Sequence, residues 1–226
     1  MNAEIYARSQ KLYWESEAVK WSPEERDPCV GSFDEHNRWL DYDLFLFKGV
    51  ETKDKVGLDF GCGPGRNLVR YGLAFARLDG VDIAPTNLIH AKTWTEMNGR
   101  QCPTLYETNG LDLRAIPSQT YDVVMSTISL QHISVYDVRR GLLEEFFRVL
   151  KSGGAVCFQM GHGGLHGVPY RANYYGGGTD TRIDDPAEIR TDLEEIGYVG
   201  ISYDVRPVGP GDRHGAWLFV RGFTPR

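Results

Sequence analysis

Val56-Gly57-Leu58-Asp59-Phe60-Gly61-Cys62-Gly63-Pro64-Gly65-Arg66-Asn67-Leu68 is the stretch whose reading decides the fold. An apolar run carrying an acid crosses three alternating glycines and opens into an amphipathic segment. That order predicts a buried strand, a tight turn and the start of a helix. Backbone amides at such a turn face outward with few side chains in the way, so the stretch also predicts a ligand seat.

Working outward from it, Leu68 to Ala76 continues as a helix and Leu78-Asp79-Gly80-Val81-Asp82-Ile83 reads as a second strand, which makes a βαβ unit. Pro85 at a helix start and Asn98-Gly99 at its stop bracket a further helix, from Asn87 to Met97. Thr104 to Thr108 is a short third strand, and the apolar Tyr121 to Ser126 suits a fourth buried on both faces of a parallel sheet. Tyr136 to Leu150 is an amphipathic helix stopped by Gly153-Gly154, followed by a fifth strand over Ala155 to Met160. Asp185-Pro186 opens a last helix that Gly197 stops. Two closing strands, near Tyr198 to Val205 and Ala216 to Arg221, have only a short Pro/Gly connection and must pair as an antiparallel hairpin.

Two regions lie outside this alternation. Residues 1–50 are aromatic and charged and predict a helical cap: one amphipathic helix through Ala7, Leu12, Tyr13 and Val19, a second from Phe33 to Phe47, with Trp14, Trp21 and Trp39 available to close over a ligand. Residues 161–181 are rich in glycine, histidine and tyrosine and too long for an ordinary connection, so they are expected to form a lid-like insertion in a core spanning 51–226.

Composition narrows the partners. A formal net charge of -6 over 226 residues disfavours a broad phosphate-binding surface, so nucleic acid is an unfavoured partner. No apolar run is long enough to span a bilayer and the first residues lack the order of a secretory signal, which predicts a cytoplasmic protein with no membrane partner. Cys29, Cys62, Cys102 and Cys157 are scattered without zinc-site spacing; reduced, mostly buried thiols and no metal are expected. Oligomeric state is not encoded in any pattern of the chain.

Ligands of open α/β sheets bind outside the carboxyl ends of the strands, where Asp59, Asp82 and Asp112 fall. Asp82, at the end of the second strand, is placed to grip a ribose diol. A dinucleotide fingerprint would need a small residue where Arg66 stands, and no phosphate loop of the G-x-x-x-x-G-K-[ST] type is present. A nicotinamide-dependent oxidoreductase and a non-catalytic cofactor-binding module remain alternatives.

Leu58-Asp59-Phe60-Gly61-Cys62-Gly63-Pro64-Gly65 closely resembles the first motif of class I S-adenosylmethionine-dependent methyltransferases, and Gly80-Val81-Asp82-Ile83-Ala84 resembles their second. Asp112-Leu113, with Ile116-Pro117 and Tyr121 to Val124, is similar to the stretch leading into their fourth strand. Arg148 to Gly154 resembles the approach to their fifth, and Pro186 to Tyr198 the late helix of the small-molecule branch. The resemblance implies an α/β, Rossmann-like, doubly wound seven-stranded sheet whose last strand is antiparallel. It implies S-adenosyl-L-methionine as cofactor and S-adenosyl-L-homocysteine as product. By position, Gly61, Gly63 and Gly65 approach the methionine part, Asp59 its ammonium, and Asp82 with Ile83 the ribose. Asp112 and the Leu113 amide take the adenine, and Ser126 and Thr127 border the reaction centre.

The implied reaction is in-line methyl transfer to an oxygen, nitrogen or carbon nucleophile of a small molecule, in which positioning is the larger contribution. A base is needed only where the nucleophile must lose a proton, and His132, His162 and His166 are the candidates. No Asn-Pro-Pro-Tyr-like run follows the fourth strand and no Pro-Cys dipeptide follows the glycine turn, which argues against nucleic-acid base methylation of those types.

Overall fold

The computed structural model describes residues 2–25, 42–208 and 212–226. In chain order the elements are α1 (Ala3–Ala18), α2 (Asp43–Leu46), β1 (Val56–Phe60), α3 (Arg66–Tyr71), β2 (Arg77–Asp82), α4 (Pro85–Met97), β3 (Leu105–Glu107), β4 (Tyr121–Ser126), α5 (Tyr136–Val149), β5 (Leu150–His162), β6 (Val168–Pro169), β7 (Thr181–Ile183), α6 (Pro186–Ile196), β8 (Val199–Pro207) and β9 (Ala216–Phe223). A short 3-10 turn, Leu130–His132, follows β4.

One sheet of nine strands organises them. β3, β2, β1, β4 and β5 lie side by side and parallel. β9 then pairs antiparallel with β5 and β8 antiparallel with β9, so the last strand runs against the rest, as the missing helix between them predicts. The principal strands number seven, and β6 and β7 are short additions.

Side chains alternate across the pleat and fill two cores. On one face Leu58, Val124, Val156, Phe158 and Val220 meet α5 and α6 through Leu142, Phe146, Ile189 and Leu193. On the other, Val123, Met125, Cys157 and Phe219 meet α2, α3 and α4 through Leu46, Leu68 and Ala91. The sheet is therefore covered on both faces, the arrangement that near-continuous apolar strands require.

Several local expectations differ from the structure. α3 ends at Tyr71, five residues before Ala76, because the chain must turn at Gly72 to reach β2. Gly153-Gly154 does not stop α5. The helix passes directly into β5, Gly153 takes a left-handed φ of 72° inside that strand, and the β4–β5 register shifts nearby. α1 buries the expected Ala7 together with Tyr6 and Ala18, but leaves Leu12 and, at its C-cap, Val19 exposed. Of the second predicted helix, residues 33–41 lie outside the described residues, as do Trp39 and Cys29. Its described end is α2, where Tyr42 at the N-cap and Phe45 within the helix pack on Phe219 at ring distances of 4.8 and 5.3 Å. Cys62 and Cys157 are buried, but Cys102 is exposed.

Residues 161–181, expected as a lid, instead carry β6 and lead into β7, which pairs with the upper end of β5. The fully buried guanidinium of Arg139 gathers this region by donating to Tyr170 O, Ile133 O and Thr181 Oγ1. Tyr170 is fully buried, and its hydroxyl donates to Asp192 at 2.7 Å. Among the described residues no helix is long and apolar enough to cross a membrane.

Candidate active site

The carboxyl ends of β1, β2 and β4 open onto a cavity of about 260 Å³, and α1 forms its opposite wall. Tyr6, Gln10, Tyr13, Trp14, Glu17 and Trp21 line it at the three- and four-residue spacing of one helix face. Trp14 and Trp21, marked in the sequence as residues able to close over a ligand, are both on this wall.

The glycine turn supplies the floor. Gly61 N and Cys62 N donate to Val81 O at 2.8 and 3.1 Å, which ties the turn to β2. Gly61, Gly63 and Gly65 have φ of 69°, 52° and 92°. At Gly61 a Cβ would lie 1.9 Å from Ser129 Oγ, and at Gly65 it would lie 2.9 Å from Ala91 Cα of α4. Those two positions need glycine for packing as well as for backbone conformation. Around Gly63 nothing lies within 4 Å of a Cβ, and this residue lines the cavity.

Asp82 ends β2 at the cavity and is 6% exposed. Its carboxylate accepts from Gly63 N and Ala84 N, both at 2.9 Å, and from Asn87 Nδ2 at 3.3 Å. Burial raises its pKa, and the two backbone donors pull it back. This acid therefore fixes the glycine turn relative to β2 as well as facing the cavity, where Ile83 lies beside it.

Asp59 is enclosed behind the turn. Burial pushes its carboxyl up to about 7, against the opposing pull of Asn67 and Arg66. Asn67 Nδ2 donates to Asp59 Oδ1 at 3.2 Å and to Thr127 Oγ1 at 3.0 Å, while Arg66 Nη2 reaches Thr127 Oγ1 at 3.3 Å. Asp59 Oδ2 and Asn67 Oδ1 are both buried and lack a donor among the described residues. Two acceptors without donors beside an open cavity suit a cationic, donor-rich group. Asn67 was not singled out from the sequence. Its position in the first turn of α3, directly after the glycines, is the signal that marks it.

The other predicted positions divide. Thr127 lines the cavity, whereas Ser126 is fully buried beneath it with its hydroxyl donating to Phe60 O at 3.0 Å. Asp112 and Leu113 do not line it. The Arg114 guanidinium and backbone amide hold the Asp112 carboxylate, keeping its pKa well below the usual carboxylate range, and Asn109 caps the same turn. The Leu113 amide donates to Glu145 Oε2 at 2.8 Å, so neither group is turned toward the cavity's ligand space. Thr108 and Gly110 stand on that side instead.

Of the three predicted histidines only His132 lines the cavity, where its ring lies 5.1 Å from that of Trp14. His132 Nδ1 meets Asp180 Oδ1 at 2.6 Å. Burial would raise the Asp180 carboxyl, but hydrogen bonds from the surrounding histidines hold it well below its usual value. It is thus an acceptor, which assigns the proton to Nδ1 and leaves Nε2 of His132 as the basic nitrogen. His162 binds Ile183 O through Nδ1 at 2.8 Å, and His166 binds Asp180 Oδ2 through Nε2 at 2.9 Å; neither is at the cavity wall. His90, not predicted, also lines the cavity.

Residues 58–158 match the family described as "Methyltransferase domain". With the sheet order and the glycine turn, the chain has the fold of the class I S-adenosylmethionine-dependent methyltransferases. The chain is similar to "Probable methyltransferase ltbC" of Aspergillus luteorubrus, 31% identical over 121 residues, 50% of this chain and 42% of that protein. It therefore spans less than half the length of that curated relative. Among solved structures, the [4+2]-cyclase SpnF is similar over 97% of each chain at a TM-score of 0.73 and 16% identity. The Haemonchus contortus phosphoethanolamine N-methyltransferase 2, solved with phosphomonomethylethanolamine and S-adenosylhomocysteine, is similar over 77% of this chain and 50% of its own at a TM-score of 0.60 and 16% identity.

Proposed function

We propose that this protein transfers the methyl group of S-adenosylmethionine to a small-molecule acceptor seated between the glycine turn and α1. One observation carries the reading: the donor-seeking Asn67 Oδ1, the Asp82 carboxylate and an aromatic helix wall converge on a single cavity at the carboxyl edge of the sheet. The residues present fit the cofactor. Asn67 Oδ1 and, behind it, Asp59 Oδ2 suit an ammonium, and Asp82 suits a vicinal diol. Ile83, Thr108 and Gly110 bound the side where the adenine would lie, the role that the resemblance gave to Asp112 and Leu113.

A sulfonium methyl is already electrophilic and requires no acid, so the chain's own task is to orient the acceptor and exclude water. Tyr13 and Trp14 on α1 and Trp21 just beyond it do both, because large rigid rings fill the space that solvent would take. Where the acceptor must lose a proton, Nε2 of His132 takes it, with the ring held by Asp180 in the tautomer that leaves this nitrogen free.

The test is a thermal shift with S-adenosylhomocysteine, followed by turnover on a panel of oxygen, nitrogen and carbon acceptors. At about a hundred times its dissociation constant the ligand should add roughly 2.7 kcal/mol to stability. A shift with NADH and none with S-adenosylhomocysteine would instead point to the nicotinamide alternative. Binding without turnover on any acceptor would favour a non-catalytic cofactor module.

A further inference from the structure

Three histidines surround one carboxylate away from the cofactor floor. Asp180 Oδ1 is held by His132, and Asp180 Oδ2 faces His166 Nε2 at 2.9 Å and His214 Nε2 at 3.5 Å. His214 is 4% exposed, and neither of its ring nitrogens has a hydrogen-bond partner among the described residues. Nδ1 is therefore unsatisfied and Nε2 has only the 3.5 Å approach to Asp180 Oδ2, and a buried imidazole so weakly engaged is costly.

The surrounding backbone is shaped to admit that ring. At Gly161 a Cβ would lie 2.2 Å from His214 Cε1 and Nδ1, and at Gly164 it would lie 2.9 Å from Gly215 N. The glycines of this turn therefore bring the β5 end and the β8–β9 connection into contact around His214. The ring nitrogens of His166 and His214 and the Asp180 oxygen all lie within 4.8 Å of one another. Tetrahedral coordination at the usual lengths of about 2.0–2.2 Å spaces donor atoms about 3.4 Å apart, close to the 2.9 and 3.5 Å observed here.

We propose that His166, Asp180 and His214 form a binding site for a divalent first-row transition-metal ion. Two imidazole nitrogens with one carboxylate oxygen suit zinc or iron(II) over magnesium or calcium, which prefer oxygen donors. Each histidine enters as the neutral ring with its proton on Nδ1, so the ion replaces the present Nε2–H contact of His166. Three protein ligands leave a coordination position for water, and the partly exposed side of His166, at 29%, is the route inward. Asp180 Oδ1 keeps its bond to His132, placing the ion one carboxylate away from the cavity wall. The site is independent of what the cavity itself binds. The sequence predicts no metal, because only the fold brings Asp180 and His214 to His166; His162 is committed to Ile183 O.

The test uses the full-length protein, stripped with a chelator and titrated with Co²⁺, Zn²⁺ and Mg²⁺ while visible absorption and calorimetry are followed. One equivalent of Co²⁺ should give the visible bands of a low-coordinate nitrogen and oxygen site and be displaced by Zn²⁺. Loss of an outer-sphere partner already weakens metal sites by about 10–100-fold, so His166→Gln and His214→Gln should each weaken binding by at least about a hundredfold. His166→Gln replaces the more exposed ring and decides the matter if His214→Gln fails to fold by circular dichroism. No uptake of Co²⁺ or Zn²⁺, unchanged affinity in a folded His166→Gln protein, or Mg²⁺ binding as tight as Zn²⁺ would each overturn the assignment.

Discussion

Asp59 is an acid placed where water does not reach, and its carboxyl titrates at about 7, up from an ordinary value of 3.8. The folded protein keeps a proton there that an unfolded chain would release. This group therefore stabilises the free protein below about pH 4, and its contribution is lost as pH rises through about 7. A bound ammonium favours the ionised form, so binding below pH 7 must expel that proton. Affinity for S-adenosylhomocysteine should rise up to about tenfold per pH unit toward pH 7 and then level off. Calorimetry across pH checks the slope, and Asp59→Asn should abolish it; a flat wild-type profile would remove Asp59 from the ammonium site. For Asp82→Ala the expected result is binding at least about tenfold weaker, together with a stability loss of about 1–3 kcal/mol as Gly63 N and Ala84 N lose their acceptor. Unchanged affinity would refute the ribose assignment.

At the scale of elements, α1 both walls the cavity and is anchored through one of the residues that line it. Tyr6 anchors it: the hydroxyl accepts from Ser134 N at 2.9 Å, a fully buried residue just beyond the 3-10 turn that carries His132. Tyr6→Phe leaves that amide without its acceptor and should cost about 1–3 kcal/mol in urea denaturation. It should also raise the KM for the acceptor more than it lowers kcat, since the helix wall positions the acceptor and does not take part in bond making. α3 and α4 meet at Gly65, where there is no space for a methyl group and φ is left-handed. Gly65→Ala should therefore destabilise by about 1–3 kcal/mol and loosen cofactor binding, with both effects read from one thermal titration.

Over the whole molecule, the segment 161–181 behaves as an edge of the sheet, and Arg139 is why. Its buried guanidinium joins the residues after β4, the Tyr170 backbone and β7, a set that only convergence of three distant pieces of chain can create. Arg139→Met should cost about 2–4 kcal/mol by orphaning the Tyr170 carbonyl and leaving Ile133 O with only its Thr181 Oγ1 donor, and limited proteolysis should find new cleavage between 161 and 181. Resistance equal to the wild type would show that packing of Tyr170 alone suffices.

The architecture was legible in the sequence because its signals are local. Apolar alternation, Pro85 and Pro186 at helix starts, the three glycines and the absence of a helix before Ala216 each constrain neighbouring backbone, and together they define the order of elements along the chain and the antiparallel end. Asp82, Ile83 and Thr127 were legible for the same reason, since strand ends fix where they point. Only the tertiary structure decided the rest. Arg114 and Glu145 compete successfully for the Asp112 carboxylate and the Leu113 amide, Asn67 emerges as an acceptor without a donor, and His132 alone of three candidate histidines reaches the cavity. His214 meets Asp180 because His214 and Gly215, just before β9, lie against Gly161 to Gly164 at the end of β5. Periodicity dictates which face a residue takes. Which partner it finds there depends on loops far apart in the chain, and that competition is settled only when the sheet closes.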